Sequence, residues 1–201
     1  MAKLYFRYGA MNSGKSTALL QAAYNYEERG QRVLLAKPDT DTRGDDQIVS
    51  RLGVTRRTDF LVGAGDDLAA VFSAARQGVR DETGQELACL LVDEAQFLSA
   101  AQVDDLLRIA VLDDIPVLAY GIRTDFQTRA FDGAARLFEV SHSLEELKTI
   151  CRCGRKAMFN ARLIDGAYVF DGDQVAIDGA TVAYEPLCGS CYLEESGGRL
   201  A

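Results

Sequence analysis

Near the start of the chain, Gly9-Ala10-Met11-Asn12-Ser13-Gly14-Lys15-Ser16 fits the pattern G-x-x-x-x-G-K-[ST], with Thr17 continuing the run. Glycines let the backbone wrap around phosphate oxygens, and a helix opening at Ser16 would aim its unpaired N–H groups and positive dipole end at the same anion. In that arrangement Lys15 reaches the β- and γ-phosphates of a nucleoside triphosphate and Ser16 gives its hydroxyl to Mg²⁺. Further along, the apolar run at residues 87–92 ends in Asp93-Glu94. A carboxylate at the end of a buried strand is the usual support for a nucleotide-bound Mg²⁺, a role that falls to Asp93, directly or through water. Glu94 is one position on, points differently, and is placed to take a proton from a group attacking the γ-phosphate.

A second constellation lies in the last quarter of the chain. Cys151-Arg152-Cys153 and Cys188-Gly189-Ser190-Cys191 offer four thiolates, the number that closes a tetrahedral structural zinc site and leaves no position for catalysis. The first pair has a tighter spacing than common zinc fingers, so buried thiols or a disulfide are the competing reading. A metal clip here would close the stretch between Cys153 and Cys188 into a loop able to fold over a bound molecule. Cys89 stands apart in an apolar run, and the lone His142 has no partners in sequence and reads as structural or solvated.

These residues need elements to hold them. Residues 3–8 read as a strand, and residues 16–29 carry a helical stripe through Leu19, Leu20 and Ala23 until Gly30 stops it. A second strand is expected over 32–36, and residues 39–65, polar and without clear period, are expected to be mainly a mobile loop. A helix follows over 66–77, then a strand buried on both faces over 87–92. Ser99 and Gln102 form a capping-box pattern ahead of Val103, Leu106, Leu107 and Ala110, and a strand is expected over 116–120. Alternating strands and helices imply an α/β fold with a parallel sheet. After about residue 148 the pattern changes to cysteines, glycines and short extended pieces such as 167–170. The expected division is a nucleotide-binding core over 1–147, a small zinc unit over 148–195 and a tail over 196–201.

Composition narrows the classes. Apolar residues make up 48% of 201 residues and charged residues 26%, an ordinary globular balance. The net charge of −8 repels a polyanion, so nucleic acid is an unexpected partner. No run is long and apolar enough to span a bilayer, and no membrane association is expected; a cytoplasmic protein is.

Taken in order, Gly-Ala-Met-Asn-Ser-Gly-Lys-Ser-Thr, Lys37-Pro38 with Asp41-Thr42-Arg43, Asp93-Glu94-Ala95-Gln96-Phe97, Tyr120-Gly121-Ile122-Arg123-Thr124-Asp125-Phe126 and Leu147-Lys148-Thr149-Ile150-Cys151-Arg152-Cys153-Gly154-Arg155-Lys156 closely resemble the type II thymidine kinases, the bacterial and human cytosolic enzymes. The resemblance runs nearly the whole chain, to about Tyr192. It implies a RecA-like P-loop core, a small C-terminal zinc domain bearing a substrate-covering lasso loop, and transfer of the γ-phosphate of ATP to the 5′-hydroxyl of thymidine, with deoxyuridine as a further substrate. It also implies a homotetramer, feedback by thymidine triphosphate, and Mg²⁺ and structural Zn²⁺ as cofactors. By the same match Glu94 is the general base, and Met11, Phe97, Ile122, Phe126, Phe131, Asn160, Ala176, Asp178 and Tyr184 surround thymidine. For any single Phe, core packing is the competing reading. One departure stands out: the family's lasso commonly reads Ile-Gly-Gly, whereas this chain has Ile177-Asp178-Gly179 and one residue more before Tyr184. Two other classes share parts of the pattern. A nucleic-acid motor fragment shares Asp-Glu-Ala-Gln after a buried strand, and a zinc-ribbon module with a regulatory nucleotide site shares the cysteines. The acidic balance and the single P-loop domain argue against the motor.

Overall fold

The computed structural model describes residues 1–40, 46–174 and 182–200. The expectations placed on Asp41, Thr42 and Arg43, and on Ala176, Ile177, Asp178 and Gly179, lie outside the described residues.

In chain order the core comprises β1 (Leu4–Tyr8), α1 (Lys15–Glu27), β2 (Arg32–Pro38), β3 (Gln47–Val49), β4 (Thr55–Arg57), β5 (Phe60–Val62), α2 (Leu68–Thr83), β6 (Leu87–Val92), α3 (Ala100–Leu112), β7 (Val117–Gly121), α4 (Asp132–Val140) and β8 (Ser143–Glu146). Six of these strands form one sheet in the order β5-β2-β6-β7-β1-β8, and every pairing in it is parallel. The expected α/β architecture is therefore the one adopted. Parallel strands are covered on both faces, which is why β2, β6 and β7 read as continuous apolar runs. On one face Leu4, Phe6, Leu34, Leu90 and Val92 pack against Phe72 of α2, Leu106 of α3 and Leu137 of α4. On the other, Val33, Leu35, Leu91 and Leu118 pack against Leu19, Leu20 and Ala23 of α1. Because all strands run the same way, the turns after β1, β2, β6 and β7 open along one edge of the sheet, where ligands bind in such folds.

The capping box on α3 forms as its sequence pattern implies: Gln102 N donates to Ser99 Oγ at 3.2 Å and Ser99 N to Gln102 Oε1 at 3.0 Å. Two features depart from the sequence reading. The segment 39–65, expected as mainly loop, also holds short strands: β3 and β4 form an antiparallel hairpin, and β5 adds the outer strand of the sheet by pairing with the end of β2. Each strand has three residues, too few for a period to show. The sequence reading also gave no element to residues 132–140, where α4 lies. Gly133 in its first turn reads as a breaker, yet a Cβ there would meet Leu98 O at 2.5 Å and Ala95 O at 2.6 Å, so glycine is what lets this helix approach that backbone.

The C-terminal unit is built differently. It contains β9 (Thr149–Ile150), β10 (Lys156–Ala157), β11 (Phe159–Ile164), β12 (Ala167–Val169), β13 (Val182–Leu187) and α5 (Gly189–Glu195), with β9–β10 a short antiparallel pair and β12-β11-β13 an antiparallel sheet. Its core is small: Ala157, Ala161, Leu187 and Tyr192, with the cysteines and Phe159, Tyr168 and Phe170 around them. So few apolar groups offset little chain entropy, which is where a metal clip contributes most. Among the described residues, no helix is long and apolar enough to cross a membrane.

Candidate active site and metal centre

The turn between β1 and α1 is shaped by left-handed backbone at Asn12 (φ 66°) and Gly14 (φ 79°). Gly9 is required for contact: a Cβ there would meet Leu147 O at 2.4 Å and Ser13 Oγ at 2.5 Å. Lys15 begins α1, is buried, and donates from Nζ to Ala10 O at 3.2 Å, which curls its ammonium back over the turn.

Asp93 follows β6 and is 4% exposed. Its buried Oδ1 has no hydrogen-bond partner, and the Ser16 hydroxyl lies close enough to favour the charged carboxylate. Burial pushes this carboxyl up to about 7, with the charge of Glu94 adding to the effect and Ser16, the Glu94 backbone N–H and Lys15 opposing it. A buried, unpartnered carboxylate oxygen beside a serine hydroxyl is a fit for a hard divalent cation, which takes oxygen ligands.

Glu94 occupies left-handed backbone (φ 47°, ψ 36°) at the head of a single 3₁₀ turn over Ala95–Phe97. For a non-glycine residue that conformation is uncommon and is held by its surroundings. The hold comes from Gln96, buried beneath it, whose Nε2 donates to Glu94 Oε2 at 2.6 Å and whose Oε1 accepts from Ile122 N at 3.1 Å. Sequence reasoning assigned Gln96 no role, although its position two residues from Glu94 was the available signal.

A cavity of about 920 Å³ joins these groups; Met11, Asn12, Gly14, Lys15, Ser16 and Thr17 line it together with Asp93, Glu94 and Ile122. Gln47, Ile48, Val49, Arg51 and Leu52 of the β3–β4 hairpin form its opposite wall, and Lys37 at the end of β2 lies between. Nothing in the period of residues 47–52 marks them as a cavity wall. Gly9, Ala10 and Ser13 shape the turn without lining the cavity. Phe97, Phe126, Phe131, Asn160 and Tyr184 do not line it either. Phe97 and Phe131 meet edge to face at 5.4 Å in the main core. Phe126 is buried, with the Arg162 guanidinium over one face. Asn160 spans two loops, accepting from Met11 N at 2.7 Å and donating to Thr124 O at 3.1 Å. Tyr184 lies opposite Arg162 in the β11–β13 register, so both side chains occupy one face of that pair. His142, read as structural, accepts from Leu4 N at 3.1 Å through Nδ1.

The sulfurs of Cys151, Cys153, Cys188 and Cys191 all lie within 4.8 Å of one another, and none is in a disulfide. Cys153 Sγ and Cys188 Sγ are 3.5 Å apart, well beyond a sulfur–sulfur bond and close to the roughly 3.8 Å edge of a tetrahedron with Zn–S of about 2.3 Å. The backbone N–H of Cys191 and the neighbouring thiols draw Cys188 down to about 6. Burial works against Cys151, but the backbone N–H groups of Cys153 and Cys188 bring it below an ordinary thiol. Cys191, crowded first by Cys153, is pushed up to about 12. Four crowded sulfurs share protons in this way, and a dication that replaces the protons fits the set. Cys89 lies apart in the core, its thiol pushed up to about 12 by burial.

A sequence model of the family described as thymidine kinase matches residues 2–192. Relatives carrying that name include a protein of Rhodopirellula baltica, 46% identical over 191 residues (94% of this chain, 86% of that protein). Another, from Idiomarina loihiensis, is 47% identical over 201 residues, covering 99% of this chain and all of the relative. A third, from Novosphingobium aromaticivorans, is 47% identical over 199 residues, or 98% of this chain and all of that one.

Proposed function

Because this chain belongs to the thymidine kinase family, we propose that it transfers the γ-phosphoryl group of ATP to the 5′-hydroxyl of thymidine, and less efficiently of deoxyuridine, with Glu94 as general base. The observation that carries the reading is the convergence of Lys15, Ser16, Asp93 and Glu94 on one cavity, with Glu94 locked by Gln96 on a left-handed turn. The phosphate loop holds the triphosphate, and Lys15 meets the negative charge of its outer phosphates. Glu94 accepts the hydroxyl proton as the 5′-oxygen bonds to the γ-phosphorus; the bond from that phosphorus to the β–γ bridging oxygen breaks, and ADP leaves with the electron pair. Ser16 and Asp93 would hold Mg²⁺, which would neutralise charge on the transferring group.

In the same reading, residues 1–147 form the nucleotide-binding core, 148–195 the zinc unit and 196–201 a tail. Met11 and Ile122 contribute apolar walls beside Glu94, and Asn160 and Tyr184 approach from β11 and β13. The protein is cytoplasmic, assembles as a homotetramer and is inhibited by thymidine triphosphate, which fits as a nucleoside and its phosphates in one molecule. The test is a panel of free nucleosides with ATP and Mg²⁺: thymidine 5′-monophosphate and ADP are expected in equal amounts. Nucleoside-independent ATP hydrolysis with no phosphorylated nucleoside would instead favour a motor or a regulatory nucleotide site.

A further inference from the structure

Arg162 lies on β11, outside the cavity, and is 4% exposed. Its guanidinium sits 3.6 Å above the centroid of the Phe126 ring. Its Nη2 donates to Asp171 O at 2.7 Å and its Nη1 to Asp173 O at 2.8 Å. The carbonyls between and before these go to a second side chain: Gln127 Nε2 donates to Phe170 O at 3.3 Å and to Gly172 O at 3.1 Å. Four successive carbonyls are thus divided alternately between two side chains from different parts of the chain. Gly172 permits the grip, because its φ is 108° and a Cβ would meet Arg162 Nη2 at 2.9 Å. The next residue completes it, with Gln174 Nε2 donating to Asp125 Oδ2 at 3.0 Å while Asp125 Oδ1 accepts from the backbone of Gln127 and Arg129.

Among the described residues Arg162 makes no carboxylate ion pair; carbonyl oxygens and a ring face balance its charge. Burying an arginine this way is a costly means of joining two segments that apolar contacts could join, unless the planar fork is needed for placement. What it places is tied to the cavity wall through Met11. Two residues earlier on β11, Asn160 bonds Met11 N of the phosphate loop and Thr124 O of the turn that carries Phe126. Directly across the strand pair from Arg162 stands Tyr184.

We propose that Arg162 is a positioning residue for nucleoside binding: it fixes the Phe126 ring against the 171–173 backbone, and so sets the KM for the nucleoside without entering the phosphoryl-transfer step. This rests on the reading that thymidine is the acceptor and, as the family resemblance implies, binds beside Phe126.

The experiment compares zinc-loaded full-length wild type with Arg162→Lys, which keeps the charge but loses the fork, and with Gln127→Ala, which removes the other half of the grip. Expected for Arg162→Lys is a rise in thymidine KM of about 10-fold or more, with kcat at saturating thymidine and KM for ATP within about 2-fold of wild type. Gln127→Ala should raise thymidine KM by about 3-fold with the same split, and decides the matter if Arg162→Lys does not fold. An unchanged thymidine KM, or an equal rise in both KM values, overturns the inference. Wild type that fails to phosphorylate thymidine overturns the functional reading itself, a result separable from either.

Discussion

Gln96 holds Glu94 from below: its amide donates to Glu94 Oε2 at 2.6 Å and turns its oxygen to Ile122 N at 3.1 Å, so one buried side chain ties the end of β6 to the end of β7. Gly121 leaves room for this, since a Cβ there would meet Gln96 Oε1 at 2.7 Å.

Replacing Gln96 by Leu removes the tether and strands the Ile122 N–H. The variant is expected to lose about 1–3 kcal/mol of stability and about 10–100-fold in kcat, with substrate KM values little changed. Glu94→Gln should fall further, by about 10²–10⁴ in kcat, while ATP and thymidine still bind. Steady-state kinetics with chemical denaturation separates the two; a near-normal kcat for Glu94→Gln would remove it as the base.

Asp93 yields a prediction about pH. Its carboxyl is raised to about 7 in the folded chain by burial, against roughly 3.9 when unfolded. The folded state therefore binds this proton more tightly, and the stability it contributes is complete below about pH 4 and lost as pH rises through about 7. In Mg²⁺-free buffer, Asp93→Asn should match wild type near pH 4 and exceed its Tm at pH 8. The same variant should lose at least ~10²-fold in kcat if Asp93 is the proposed charged ligand of Mg²⁺. Equal Tm values at pH 8 would contradict the burial argument.

The groups most readable from sequence are those whose chemistry is local. The phosphate turn, Asp93-Glu94, the capping box at Ser99 and the paired cysteines each act through neighbours a few residues away, and their spacing survives in the linear chain. Arg162 and Gln127, and Gln96 in its bond to Ile122, act through partners brought in by the fold: Arg162 meets Phe126 across 36 positions, and nothing in residue type foretells that contact. The hairpin of Gln47–Val49 and Thr55–Arg57, whose first strand and turn wall the cavity, is illegible for another reason. Strands of three residues carry no period: β3 has two apolar residues, of which Ile48 is buried and Val49 exposed, and β4 has none. The α4 helix was hidden by Gly133, whose role is close packing against backbone.

Zinc should be tested directly. The native protein is expected to hold about one zinc per chain on Cys151, Cys153, Cys188 and Cys191, as elemental analysis will read. Removing it should release α5 first, because the unit's own core is small, and α5 carries Tyr192, whose hydroxyl donates to Phe126 O at 2.6 Å. Chelation should therefore raise thymidine KM before the parallel sheet unfolds. Zinc retained after both Cys188 and Cys191 are replaced by Ser would place the metal elsewhere.

Selection at the base follows from what the cavity can leave unpaired. Met11 and Ile122 stand beside Glu94 in the cavity wall, and apolar groups of that kind distinguish a methyl only by area. Losing the 5-methyl of thymine should cost about 1–3 kcal/mol in kcat/KM, so deoxyuridine should remain a measurable substrate. The polar edge is stricter. Cytosine presents an amino group and an unprotonated ring nitrogen where thymine presents a carbonyl and an N–H, so each donor or acceptor that fits thymine meets its own kind and is left buried without a partner. Two such mismatches should put deoxycytidine ~10⁴-fold or more below thymidine, a steeper step than the methyl provides. Values of kcat/KM for the three nucleosides at one ATP concentration decide between the two kinds of discrimination; deoxycytidine within ~10-fold of thymidine would mean that the base is held by shape and stacking alone.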